Sequence, residues 1–182
     1  MKIMIAFISI PITDVSIISG GLLLFLFIHF NYSEIRLVNR IKLSNLTEEE
    51  TSDICNYIIE KLSLEYRVIN PKFTITNYKE DKINTIKYSN GRTLAIFFGE
   101  NNQISLQFKV LIEEGCTFSD MIDCIAHEFQ HYLDRLSFET PEQWFLAYEK
   151  NVNYYEYKAN RFASKKLKRL TKNLLLDGLK QI

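Results

Sequence analysis

Neither sign of charge dominates this 182-residue chain, because 22 Lys and Arg stand against 22 Asp and Glu. With no overall field there is no electrostatic reason to expect nucleic acid or a strongly acidic partner. Glycine and proline are scarce, at six and three, which excludes collagen-like and low-complexity architectures. The three cysteines, Cys55, Cys116 and Cys124, are odd in number and lack the close pairing of a zinc knuckle or a CxxC redox motif. A disulfide scaffold is therefore not expected, and a reducing compartment is the simpler setting. Histidine is equally rare: His29, His127 and His131 are the full set. What remains is an ordinary globular composition, 47% hydrophobic, 13% aromatic and 24% charged, with length for one domain and a short appendage.

That appendage is the N-terminus. From Ile3 to Phe30 the chain is apolar almost throughout, broken by Pro11 and Asp14, and residues 15–33 contain no Asp, Glu, Lys or Arg. At about 1.5 Å per residue this uncharged stretch just covers a hydrocarbon core of roughly 30 Å. Arg36, Arg40 and Lys42 follow it while only Lys2 precedes it. The positive-inside tendency then predicts a membrane anchor over 1–33 with the remaining domain, 34–182, in the cytoplasm. The alternative is a cytoplasmic protein whose apolar segment packs on its own domain.

Downstream, Thr47 and Glu50 read as a capping box, and Ile54, Cys55, Ile58, Ile59 and Leu62 recur at helical spacing, which predicts a helix over about 48–63. The period then shortens. Phe73 and Ile75, Ile83 to Tyr88, Thr93 to Phe98 and Ile104 to Ile112 are rich in β-branched and aromatic residues and predict three or four strands. Asn90-Gly91 is a hairpin signal, and Glu100-Asn101-Asn102 marks a second turn. After Gly115 helical spacing returns, with Thr117 and Asp120 as a cap and Met121, Ile122, Ile125, Phe129, Tyr132, Leu133 and Leu136 as the buried face. Thr140-Pro141-Glu142-Gln143 opens a further helix that runs, with a break near Asn151, to about Asn173. The expected class is α+β: an N-terminal helix, an antiparallel sheet and two following helices.

The chemistry sits on the helix after Thr117, where His127-Glu128-Phe129-Gln130-His131 contains the pattern HExxH. Two imidazoles four residues apart rise from one helix face about 6 Å apart along the axis and can converge on one zinc ion. Glu128 points off the ligand line yet stays beside the metal, where it can act as general base toward a metal-activated water. Tetrahedral zinc needs a third protein ligand. Asp134 shares the histidine face but lies about 10 Å along the axis from His127, so a hydrogen bond to an imidazole N–H is the role left for it or for Asp123. The ligand must come from another helix, and Glu142, Glu149 and Glu156 are the candidates.

Glu156 is followed by Ala159 and Ala163, small residues that permit close helix approach. The combination of HExxH with Glu156-Tyr157-Lys158-Ala159-Asn160-Arg161-Phe162-Ala163, or ExxANxFA, resembles the ImmA/IrrE-like zinc metallopeptidases, a gluzincin branch. That resemblance implies a zincin-like fold, a zinc cofactor, Glu156 as the third ligand and a protein or peptide substrate. Zincins that resemble this layout bind substrate along a sheet edge, which points to a strand between Thr93 and Ile112. Tyr154, Tyr155, Tyr157 and Arg161 lie close to Glu156 in sequence, and none is assigned to the oxyanion. The basic run Lys165, Lys166, Lys168, Arg169 and Lys172 suits a helix C-terminus, and an anionic membrane surface is the next reading.

The expected function is therefore zinc-dependent peptide hydrolysis. Its rivals are a non-catalytic zincin-like protein-interaction module and a metal hydrolase acting on another bond.

Overall fold

The computed structural model describes residues 40–76 and 94–179. The apolar segment, the strand expected over 83–88 and the Asn90-Gly91 turn lie outside the described residues. No helix among those described is long and apolar enough to cross a membrane.

A 3-10 turn at Leu43–Asn45 opens the described chain and is pinned by Leu43 N–H, which donates to the Cys116 carbonyl at 3.1 Å. Helix α1, Glu48–Tyr66, begins at the expected capping box: Thr47 Oγ1 accepts from Glu50 N–H, and the Glu50 carboxylate accepts from Thr47 N–H. Each such cap contributes on the order of 1 kcal/mol. Its buried face, Cys55, Ile58, Ile59 and Leu62, follows the 3.6-residue period. The helix ends at Arg67 in the left-handed region, φ 55°.

Strands β1 (Lys72–Thr76), β2 (Ala95–Phe98) and β3 (Gln103–Gln107) form one sheet in the order β1-β3-β2. β2 and β3 are antiparallel across the turn at residues 99–102, but β1 and β3 run parallel. The expected antiparallel sheet is thus corrected to a mixed one. Alternation of apolar residues reveals a strand but not its neighbour, and β3 takes the centre because four of its five residues are buried.

The expectation of a strand through Ile112 also fails. Helix α2, Phe108–Glu113, follows β3 directly and buries Phe108 and Leu111 three residues apart. A short apolar run does not distinguish strand from buried helix by period alone.

Helix α3, Phe118–Arg135, carries a second capping box between Thr117 and Asp120, and buries Met121, Ile122, Ile125 and Phe129 completely. Each of these side chains contributes on the order of 1.5–3 kcal/mol by leaving water. Leu136, expected on the buried face, is instead exposed at the C-cap. Helix α4, Pro141–Lys150, starts at the Thr140 cap, and after Asn151 the chain enters α5, Val152–Leu179. The class is α+β, mostly helical around a small sheet. The long helix α5 lies chiefly on α3, which α1 and β2 also contact, so the HExxH helix is enclosed by other elements.

Candidate metal centre

Helix spacing brings His127 and His131 to one face of α3, and their Nε2 atoms lie 3.1 Å apart. Glu156, on the first turns of α5, faces both. Its Oε2 is 3.2 Å from His127 Nε2 and its Oε1 is 3.1 Å from His131 Nε2. Ala159 and Ala163, both fully buried, are what lets α5 come this close. Glu142 and Glu149, the other candidate ligands, are exposed on α4 and take no part.

Both ring nitrogens of His127 are engaged. Nδ1 lies 3.0 Å from Asn160 Oδ1, an atom that can only accept, so Nδ1 carries a proton, and in the neutral ring Nε2 keeps its lone pair. The bond expected from Asp134 or Asp123 is therefore made by Asn160. Asp134 turns elsewhere: it is buried, pairs with Lys158 and accepts from Gln130 Nε2 at 2.9 Å. His131 Nδ1 is buried with no hydrogen-bond partner among the described residues.

Sequence reasoning also missed Tyr148. From α4 its hydroxyl donates to Glu156 Oε1 at 2.5 Å, and its ring meets that of His131 edge-on at 5.5 Å. Trp144, one turn earlier, packs on Tyr148, on Phe97 of β2 and over Gly99. Asn160 had a legible signal, since it stands four residues after Glu156 and so on the same helix face. Tyr148 had none, because the break at Asn151 decouples its direction from that of α5.

Glu128 is partly buried. Withdrawal from water pushes its carboxyl above the ordinary range and Glu156 adds to the rise, while His131, His127 and a hydrogen bond from the Phe97 backbone N–H act against it. For His127, burial disfavours the charged form, but Glu156, Glu128 and Asn160 outweigh burial and raise its value. Cys55, Cys116 and Cys124 are all free, and burial pushes each thiol up, so none is a poised thiolate ligand.

The donor set fits a zinc ion. A tetrahedron with bonds of roughly 2.0–2.1 Å has edges of about 3.3 Å, close to the 3.1 Å between the two Nε2 atoms, and Glu156 turns one carboxylate oxygen toward each imidazole. A carboxylate and a ring nitrogen lone pair held that close repel one another unless a cation or a proton lies between them. Among the described residues this is the group of three whose ligand atoms could share a metal ion.

The strand that borders α3 is β2, an edge of the sheet among the described residues. The Leu94 carbonyl accepts from Gln107 N–H at 2.9 Å, so Leu94, Ile96 and Phe98 direct their backbone groups toward β3, and Ala95, Phe97 and Gly99 direct theirs outward. Consistently, the Gly99 carbonyl accepts from Arg135 Nε of α3 at 3.3 Å. Of the other residues near Glu156 in sequence, Tyr155 stacks against Tyr148, whereas Tyr154, Tyr157 and Arg161 are exposed.

No family model matches the chain, and neither a curated protein nor a solved structure does.

Proposed function

We propose that this chain is a zinc-dependent metallopeptidase of the gluzincin type, similar to the ImmA/IrrE-like enzymes, that hydrolyses peptide bonds in a protein substrate. The observation that carries the reading is the triangle of His127 Nε2, His131 Nε2 and a Glu156 oxygen, contributed by two different helices. Zinc, when bound, supplies Lewis acidity that polarises the scissile carbonyl and makes an attacking water more acidic. The residues do the rest. Asn160 fixes the His127 tautomer, and Tyr148 orients the Glu156 carboxylate.

Glu128 takes the proton of the attacking water and returns it to the leaving amine. Its burial raises its affinity for a proton and so strengthens it as a base. The outward backbone groups of Ala95, with the Phe97 carbonyl, offer an extended peptide main-chain pairing alongside α3, while the Phe97 N–H serves Glu128. On sequence evidence alone, the catalytic domain is assigned to the cytoplasmic side of a membrane reached by residues 15–33.

Glu128→Gln separates this reading from a non-catalytic zincin-like module. With full-length protein and an unstructured protein substrate such as casein, the variant is expected to retain zinc and lose cleavage by at least about a hundredfold. Undiminished cleavage by the variant contradicts the proposal.

A further inference from the structure

The even charge of the whole chain conceals a segregation. Helix α5 carries seven cations, all between Lys158 and Lys172, against two carboxylates, and one of those is Glu156 in the metal centre. The residues Tyr154, Lys158, Arg161, Lys165, Lys168 and Lys172 recur at alternating steps of four and three, so they form one stripe about 27 Å long. This stripe lies on the side of α5 away from Ala159 and Ala163, which bury against the fold.

Beside the stripe, α5, Gln130 and the end of α1 enclose an open cavity of about 700 Å³. Five cations and four aromatic rings line it, and no carboxylate does. Two carboxylates act on it from outside the lining: Glu65 pairs with Lys166 and Arg169, and Asp134 pairs with Lys158. Three carboxylate-bound cations against two carboxylates still leave Arg161 and Lys165 to add to the excess. Lys166 Nζ also lies 4.8 Å from the Tyr66 ring centre and 5.2 Å from that of Phe162.

We propose that this face of α5 binds single-stranded nucleic acid, with the cations following the phosphates and the exposed rings of Tyr154 and Tyr157 stacking on bases. Exposure of 60% and 64% leaves ring surface of both tyrosines open to a ligand, although Tyr154 also meets the Tyr155 ring at 5.3 Å. Interleaved aromatic and cationic side chains along a groove are what a strand with unstacked bases requires, whereas a duplex hides its base faces. A lipid surface fits less well, because the cavity is concave. Of the exposed aliphatic side chains that could insert, only Leu64 stands near it, at the end of α1, while Ile69, Leu136 and Leu146 belong to other parts of the fold. The expectation of no nucleic acid came from whole-chain charge, which averages over this one helix. The inference does not depend on the metal centre.

The test is binding of full-length protein to a labelled oligothymidylate, followed as salt rises from about 50 to 200 mM. The expected result is binding that weakens steeply with salt. In Arg161→Ala/Lys165→Ala the slope of log affinity against log salt should fall by about 1.4, since each lost phosphate contact removes roughly 0.7. In Tyr154→Ala/Tyr157→Ala affinity should fall at least about thirtyfold with the slope unchanged. Circular dichroism should be unchanged in both variants, which touch exposed positions. No binding at the lowest salt, equal affinity for the corresponding duplex, insensitivity to both double variants, or uptake by phosphatidylserine vesicles without strand binding would each overturn the proposal.

Discussion

Asn160 Oδ1 and His127 Nδ1 meet at 3.0 Å across the interface of α5 and α3, so the helix that supplies the carboxylate also sets the tautomer of the first imidazole. Ligand and orienting group are one helical turn apart on a single element, and any shift of α5 disturbs both. Asn160→Leu should lower zinc affinity by roughly ten- to a hundredfold, and Asn160→Asp, which keeps an acceptor in place, should recover most of it. Competition against a chelator of known affinity reads both values.

Tyr148 acts on the same centre from the other side. Tyr148→Phe removes the 2.5 Å hydrogen bond to Glu156 Oε1 while keeping the ring that packs on His131 and Trp144. Zinc affinity should fall about tenfold with little change in unfolding by denaturant. A large loss of stability without a change in affinity would show that the tyrosine merely fills space.

Close approach rather than backbone freedom explains Gly99. A Cβ there would sit 2.8 Å from both Cε3 and Cζ3 of Trp144, a ring confined by Phe97 and Tyr148. Gly99→Ala should therefore cost about 1–3 kcal/mol, as overpacking does elsewhere. Urea unfolding at constant m-value measures it.

Acid should loosen the contact of α1 with α5. Hydrogen bonding to Arg169, and then to Lys166, holds the Glu65 carboxyl below its ordinary value of 4.5 against the opposing effect of burial. A carboxylate whose folded value is depressed favours the fold above its unfolded value, and that contribution disappears as pH falls through the folded value. Thermal melts between neutral pH and about pH 3 should lose stability below roughly pH 4.5, with a shallower fall in Glu65→Gln.

The sequence was most legible where a local signal and a burial pattern agreed. Thr47 with Glu50, Thr117 with Asp120, and Thr140 before Pro141 each mark a helix start that the structure reproduces. The HExxH spacing placed both imidazoles on one face because helix geometry leaves no choice. Sheet order was not legible, since the parallel pairing of β1 with β3 depends on tertiary burial of β3. Nor was Tyr148, whose approach to Glu156 depends on how α4 turns into α5 at Asn151. The resemblance carried by the second motif named Glu156, and the structure puts that carboxylate against both histidines.

Elemental analysis of the purified full-length protein, beside His131→Ala and Glu156→Gln, bears most directly on the metal centre. About one zinc per folded wild-type chain, lost from both variants, is the result expected from three ligands and one open position. Folded wild-type protein that takes up no zinc, or variants that hold it as tightly as wild type, would contradict the account.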